Sequence, residues 1–421
     1  MPAKRKGGRP PQRGKVRSIP ALGGTLEHVP FDLLPVHDST WGLCTGADGM
    51  IYPVACGECR GGLSAFILRY DPLARTTDYL IECGPALGQP PDDGHATQSK
   101  IHYCILPASD GLLYCSTHAS GPPVGHPSWR PWNTWDDPAV RFPGAHIFTY
   151  NPAAGVLSDF GIGPEREGSR CLALDEKRRK LYGITWPRNH LYVFYIDGRR
   201  YLDLGRIGDI NPQAIWLDRD GRAYTTDDYG RLLRVDPETN EISALKIRCP
   251  HQWYRRGWHN VPYDVVPAPD RSCFYGCDWG YESHIWRFDP YDGPDGRADD
   301  LGRAIGPPDL KNDLTLEYFN VRGLVFGADG KLYFGMRAPE GGRNPLHLAR
   351  LDVKTLQREV VAILQFGDYE PHTLASATAD FYGNLYFAEA GCAPTGIYVY
   401  RPDWVRSDKQ VFCWKDIKQW G

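Results

Sequence analysis

The sequence predicts an all-β fold, a single-domain seven-bladed β-propeller. Three observations carry that prediction: a hairpin phrase that recurs seven times, a composition suited to short strands, and no competing helical periodicity. The phrase is a turn, usually Asp-Gly, then an apolar residue and a tyrosine. It ends at Tyr52, Tyr114, Tyr182, Tyr224, Tyr275, Tyr333 and Tyr386, so the steps run from 42 to 68 residues. Asp-Gly between apolar runs is a strong hairpin signal because Gly accepts the positive φ of a tight turn. Repetition at about this period marks propeller blades, none of which can bury its faces alone. With 46 Gly, 36 Pro, 12% aromatic residues and only 3 Met, the chain is built for strands and turns. It has no run of 18 apolar residues, which argues against a transmembrane helix.

The elements follow in order. Blade one spans Trp41 to Gly88, blade two Lys100 to Gly163, blade three Arg170 to Leu204, and blade four Asn211 to Pro250. Blade five spans Trp258 to Gly302, blade six Tyr318 to Phe366, and blade seven Pro371 to Pro402. Outer strands such as Ile285-Trp-Arg-Phe-Asp-Pro290 end in Pro, which cannot donate to a strand ladder. Blade two carries a Pro/Trp-rich insert, Gly121 to Gly144, with Trp129, Trp132 and Trp135. Thr25 to Asp38 and Gln410 to Trp420 flank the ring, and one of them should complete a terminal blade, because closure removes an exposed edge.

Residues 1–24 read as a basic disordered tail and 25–421 as the propeller. The first seventeen residues hold seven Lys/Arg and no acid; with a net charge of −3 for the whole chain, the remainder carries −10. Such an arm contacts phosphate without sequence choice, which is a weak basis for a nucleic-acid partner. It lacks the apolar core of a secretory signal, so the expected location is cytoplasmic. In that compartment the 12 cysteines are expected to be reduced and buried. Cys249, His251, His259, Cys273, Cys277 and His284 fall within 36 residues but match no zinc spacing. A cofactor is left open, with calcium or zinc as the divalent candidates.

Function is sought on the axis. Counting back twelve residues from each blade tyrosine reaches the start of the innermost strand, and counting forward four reaches the next entry. Those registers hold His102, His118, Arg170, Trp186, Tyr263, Trp279, Arg322 and Arg337, with His372 two residues before its register. A structural ring would place small or apolar residues there. The seven blade tyrosines, Tyr182 included, read first as packing residues because they share one register. His102 and His118 differ, since no other blade repeats both positions. Histidine suits acid or base work near neutrality, and Arg forks match a carboxylate. β-Elimination at a uronic acid needs this set: cations on the C5 carboxylate, a base for the C5 proton, and an acid for the leaving glycosidic oxygen. Trp186, Tyr263, Trp279, Arg322, Arg337 and His372 would then bind an anionic oligosaccharide or polysaccharide.

Lys100-Ile-His102 with Leu113-Tyr-Cys-Ser-Thr-His118 resembles the paired-histidine blade of the seven-bladed β-propeller polysaccharide lyases, notably the ulvan lyases. Leu181-Tyr-Gly-Ile-Thr-Trp-Pro187 is also similar to their pattern. The resemblance implies a His and a Tyr as base and acid, and an Arg that neutralises the uronate. It carries His102 and His118 into catalysis. The tyrosine stays open among Tyr182, Tyr192 and Tyr263. Blade four, a place for the family Arg, has Pro212-Gln213 here, which leaves two alternatives: Arg170 substitutes, or the activity is absent.

Two other classes compete. A metal-dependent lactonase-like hydrolase would need carboxylates and amides around a divalent ion, for which Asn211, Asp228 and Glu389 are the candidates. A non-catalytic interaction propeller would have a bland axis and decorated outer loops.

Overall fold

The computed structural model describes residues 16–58, 61–118, 121–125, 136–209, 212–250, 261–278, 284–305, 321–338 and 343–417. Among them, almost all regular structure is antiparallel β-strand; the two helices, Cys83–Ala86 and Trp414–Ile417, are single turns. Five sheets have four strands each, paired in chain order. Their first strands are Ile105–Pro107, Gly168–Asp175, Trp216–Leu217, Pro262–Pro267 and Arg322–Phe326. The sixth sheet has nine strands and divides naturally in two, because Ser39–Thr45 meets Leu385–Ala390 through the one pair Ala390↔Ser39. On one side lie the four strands from Ser39 to Glu82. On the other lie Thr373–Ala379, Leu385–Ala390 and Gly396–Pro402, with two N-terminal strands added outside them.

That addition is the expected ring closure. Gly24–Pro30 pairs with Gly396–Pro402 over seven residues, from Gly24↔Pro402 to Pro30↔Gly396. The sequence reading placed residues 17–21 in a disordered tail; instead Arg17–Ala21 is a strand, paired with Gly24–Pro30 through a tight turn at Gly23, whose φ is 69°. A two-residue connection between complementary strands costs little closure entropy, and the outer edge gains a cover. The more basic part of the tail, residues 1–15, lies outside the described residues. The described part of the C-terminal candidate, residues 410–417, does not close a sheet. Val411 and Phe412 donate their N–H groups to the Phe381 carbonyl at 2.8 and 3.0 Å, and Arg271 Nη2 reaches the Lys415 carbonyl at 2.8 Å. The C-terminal segment therefore crosses the hairpin-turn end of the molecule.

The repeated phrase works as expected. The seven tyrosines are buried, none exposing more than 7%. Five of them donate to a turn aspartate: Tyr52 to Asp48 (2.6 Å), Tyr114 to Asp110 (3.0 Å), Tyr224 to Asp218 (3.0 Å), Tyr333 to Asp329 (2.9 Å) and Tyr386 to Asp380 (2.8 Å). Each phenol thus packs its ring between sheets and pins its own turn. Where the phrase lacks Asp-Gly, Arg179 (φ 55°) and Arg271 (φ 57°) take the left-handed position that Gly49 and Gly111 fill elsewhere. Neighbouring sheets are stitched near their first strands, as where Tyr103 bridges Cys171, Gln213 N–H donates to the Pro262 carbonyl (2.9 Å), and Leu324 N–H donates to Asp264 Oδ2 (2.8 Å). The ring closes where Thr45 Oγ1 meets Thr378 Oγ1 at 2.8 Å.

Candidate functional site

In an antiparallel run, the start of the first strand and the end of the second lie at the same end, opposite the connecting turn. Trp41, His102, Arg170, Tyr263 and Arg322 belong to or precede first strands; Glu58, His118 and Trp186 end or follow second strands. The pairing therefore gathers them at the end away from the Asp-Gly turns.

The centre of the group is His102. Its ring stacks on Trp41 with centroids 4.5 Å apart, meets Tyr103 edge-on at 4.5 Å, and lies 6.0 Å from His118. Its Nδ1 is 2.9 Å from the Arg170 carbonyl oxygen. A carbonyl only accepts, so Nδ1 bears the proton and Nε2 carries the lone pair. Nε2 is buried and has no hydrogen-bond partner among the described residues. Burial, followed by the charges of Arg170 and Lys100, holds His102 well below the usual histidine range. It is a neutral imidazole with its basic nitrogen uncommitted.

His118 packs against Trp186, with centroids 4.7 Å apart. Its N–H donates to the Lys100 carbonyl at 2.6 Å, which ties the two histidine segments together. Gly168 makes room for the ring: a Cβ there would stand 2.8 Å from His118 Cγ and Nδ1.

Cations surround the pair. Arg322 lies over the Tyr263 ring at 4.5 Å and near Trp41 at 5.7 Å. Burial is the largest influence on Arg170 and lowers it, with Tyr263 and Glu58 opposing. Burial raises the Tyr263 phenol, and Arg322 and Arg170 pull it back. That phenol is a neutral donor facing two guanidinium groups. Lys100, whose side chain is 2% exposed, reaches Glu58 Oε2 at 2.5 Å and sits over Trp41 at 4.1 Å. Glu58 also accepts from Trp41 Nε1 at 2.7 Å. Burial works to raise Glu58, but Lys100 and Arg170 outweigh it and leave its carboxyl below the ordinary value.

The structure brings together His102, His118, Arg170, Trp186, Tyr263 and Arg322. His372 lies close enough to Arg322 for its charge to act: burial, then Arg337 and Arg322, lowers the ring. Arg337 does not serve as an anion fork. Its guanidinium donates to the carbonyls of His372 (2.9 Å), Asn344 (2.6 Å) and Pro371 (2.8 Å) and to Glu370 (3.1 Å), so it clamps the loop that carries His372. Tyr182 is likewise elsewhere. It packs among Cys171, Ala173, Ile184 and Val193, and burial followed by Asp175 raises its phenol, which places it at the turn end with the other blade tyrosines. Tyr192 is spent on Ser169 at 2.8 Å. Trp279 and the Trp129 to Trp135 insert lie outside the described residues.

Sequence reasoning missed Trp41, Glu58, Lys100 and Tyr103. Trp41 sits eleven residues before its blade tyrosine, one off the register used, and Glu58 follows the strand end by two. The carboxylates of the hydrolase reading do not converge. Glu389 is buried against His28 (3.0 Å), Tyr369 and Tyr398, whereas Asp228 caps the Asp209 N–H (2.7 Å); Asn211 lies outside the described residues. Among the described residues no group of three or more His, Cys, Asp or Glu is placed to hold a metal; His251 and His259 of the Cys249 to His284 group lie outside them.

No protein-family model matches the chain, and no curated protein matches it in sequence. Solved structures do. Virginiamycin B lyase from Staphylococcus aureus is similar at 13% identity and TM-score 0.53, over 89% of this chain and 98% of that one. An oligogalacturonate lyase in complex with manganese is similar at 11% identity and TM-score 0.54, over 95% and 98%. The RRP9 WD40 repeats are similar at 11% identity and TM-score 0.54, over 93% and 100%. The chain spans 38% of the matched extracellular domain of BT4673 from B. thetaiotaomicron, at 15% identity and TM-score 0.52. At these identities the likeness concerns the fold, which is propeller-like.

Proposed function

We propose that the seven antiparallel runs are the blades of one propeller spanning residues 25–421, and that the histidine mouth is the active site of a carbon–oxygen lyase. The substrate class is a uronate-containing oligosaccharide, opened by β-elimination. The observation that carries this reading is His102: a neutral imidazole, its tautomer fixed by the Arg170 carbonyl, with Nε2 uncommitted and the charges of Arg170 and Lys100 acting on the ring. The distant likeness to two lyases supports it at the level of the fold.

Arg170 and Arg322 receive the uronate carboxylate and lower the cost of charge at C5. The Nε2 lone pair of His102 takes the C5 proton. The electron pair first rests in the enolate of the carboxylate, then forms the C4–C5 double bond as the C4–O bond breaks. Tyr263 gives its proton to the departing oxygen, and His118, packed against Trp186, borders the sugar. The cations that depress His102 also acidify C5–H, so a weak base suffices. With this reading goes a cytoplasmic protein acting on short oligomers.

Absorbance near 235 nm tests it, because elimination creates a conjugated 4,5-unsaturated uronate. Purified protein offered pectic, alginate, ulvan and glycosaminoglycan oligomers, with and without calcium, zinc or manganese, should give a rising signal that His102→Ala abolishes. Binding without absorbance across the panel would favour a non-catalytic interaction propeller, the reading that the equal likeness to WD40 repeats supports.

A further inference from the structure

Blade four also sends a residue to the mouth. Gln213 lies eleven residues before Tyr224, the spacing that also separates Trp41 from Tyr52 and Arg322 from Tyr333. It precedes the strand Trp216–Leu217, so it stands at the end away from the hairpin turns. Its N–H donates to the Pro262 carbonyl at 2.9 Å, one residue from Tyr263. On the other side Ile215 and Leu217 pack with Cys171 and Ala173, in the strand that carries Arg170. Blade four thus places an amide between the strands that bear Arg170 and Tyr263. The Gln213 side chain is buried, with the residue 1% exposed, yet neither Nε2 nor Oε1 has a hydrogen-bond partner among the described residues. Among those residues no other side chain leaves two buried polar atoms unpartnered. Its neighbours share the deficit. Thr226 Oγ1 and Asp278 Oδ2, at the ends of the second strands of blades four and five, are also buried without partners, and Asp278 stands opposite Pro262 in register. A buried amide with both atoms unsatisfied is costly, and an apolar side chain of the same size would fill the place without that cost. Rules of this kind are broken where function requires it.

We infer that Gln213 is a substrate-binding residue that grips two adjacent free hydroxyls, O2 and O3 of the uronate ring. This rests on the reading of the mouth as a uronate site. A carboxamide presents an acceptor and a donor side by side, which matches a vicinal diol: Oε1 accepts one hydroxyl proton and Nε2 donates to the neighbouring oxygen. In a pyranose ring C2 and C3 lie across from C5, so this hold leaves the reacting edge clear. The substrate class narrows to uronates unesterified at both positions. A sulfate or acyl group on O2 or O3 removes the hydroxyl proton that Oε1 needs and asks for room beside a fully buried side chain.

The test measures binding by calorimetry, with the full-length protein and two ligands, methyl α-D-galacturonoside and its 2,3-dideoxy analogue. Neither carries a glycosidic bond at O4, so elimination does not consume them. The wild type should prefer the diol by roughly tenfold or more, as expected for two hydrogen bonds to a buried amide. Gln213→Met is close in volume and apolar. It should lose that preference, and its affinity for the dideoxy analogue should stay within about twofold of wild type. Its melting temperature should stay equal or rise, because two buried unpartnered atoms are removed. A wild-type protein that binds neither ligand, or both equally, would overturn the inference. So would a Gln213→Met variant that keeps the preference, or one that melts lower and loses both ligands alike, the mark of an amide that only holds the fold. The 235 nm assay is separate. Silence there with the expected preference would sink the lyase and keep the diol site, and a rising signal without the preference would do the reverse.

Discussion

Arg170 acts on His102 twice. Its carbonyl oxygen, 2.9 Å from Nδ1, fixes which nitrogen is basic, and its guanidinium depresses how basic that nitrogen is. The two effects separate by mutation, because a side-chain change leaves the carbonyl in place. In the wild type His102 stays neutral well below pH 6.5, so the acid limb of kcat/KM should fall below the ordinary histidine range. Arg170→Gln should move that limb upward, since a depressing charge is removed. It should also cut turnover on uronate by about 10²–10³, the usual cost of losing a donor to developing anionic charge. A pH–rate profile from pH 4 to 9 checks both, and an acid limb that stays in place would show that another group controls it. Arg170→Lys keeps the charge and loses the fork, so it should weaken charged substrate more than neutral analogues.

Two tyrosines give opposite expectations. Tyr263 faces Arg170 and Arg322, and Tyr263→Phe should abolish turnover while leaving the melting temperature within a few degrees. Tyr182 is fully buried, and its hydroxyl has no partner among the described residues. Tyr182→Phe removes an unsatisfied polar atom from an apolar cluster, so it should keep activity within about twofold and leave stability equal or slightly higher. Activity lost in Tyr182→Phe would mean that the site extends to the turn end.

Gly168→Ala probes the cradle of His118. The new Cβ would lie 2.8 Å from the ring and 3.1 Å from His118 Cα, so the histidine must move and its backbone limits how far. Overpacking of this kind costs about 1–3 kcal/mol. Turnover should fall at least tenfold, with a smaller change in substrate affinity. A variant with wild-type kcat would show that the placement of His118 is not demanding.

The repeat was legible because each hairpin obeys local rules: turn residue, apolar residue, tyrosine, and often a turn aspartate for the phenol to hold. Arg179 and Arg271 show how far those rules bend, as left-handed non-glycine residues keep the turn where Asp-Gly is absent. His102, His118, Arg170, Tyr263 and Arg322 could be read from register, since position within a strand fixes which end a residue reaches. Register cannot tell what a side chain touches on arrival. Arg337 occupies the expected register, but its donors go to the carbonyls of the His372 loop, a contact across 34 to 35 residues that no local pattern encodes. Glu58 and Lys100 are 42 residues apart and become partners only when two sheets meet. Tyr182 stands among the three tyrosine candidates because the resemblance points to a tyrosine in its phrase, whereas the shared register marks it as packing, and its ring packs among Cys171, Ala173, Ile184 and Val193.

The axis beneath the mouth carries its own titration. Asp264 is buried, accepts the Leu324 N–H at 2.8 Å, and lines a small cavity with Tyr103, Ser376 and Gly42. Burial raises its carboxyl to about 7. The folded state therefore holds a proton that the unfolded chain releases near pH 4. Stability from this group is complete below pH 4 and is lost as pH rises to about 7. A shift of about three units corresponds to about 4 kcal/mol as an order of magnitude. Asp278, raised by burial to about 8, contributes with the same sign, whereas His37, His102 and His372, lowered chiefly by burial, contribute with the opposite sign below pH 6.5. The difference between wild type and Asp264→Asn isolates the one group, because the others are common to both. Urea unfolding at pH 5, 6, 7 and 8 should show the variant gaining on the wild type as pH rises, with most of the gain complete by pH 8. Parallel stability curves would mean that Asp264 is ionised throughout, and that water or another donor reaches it within the channel.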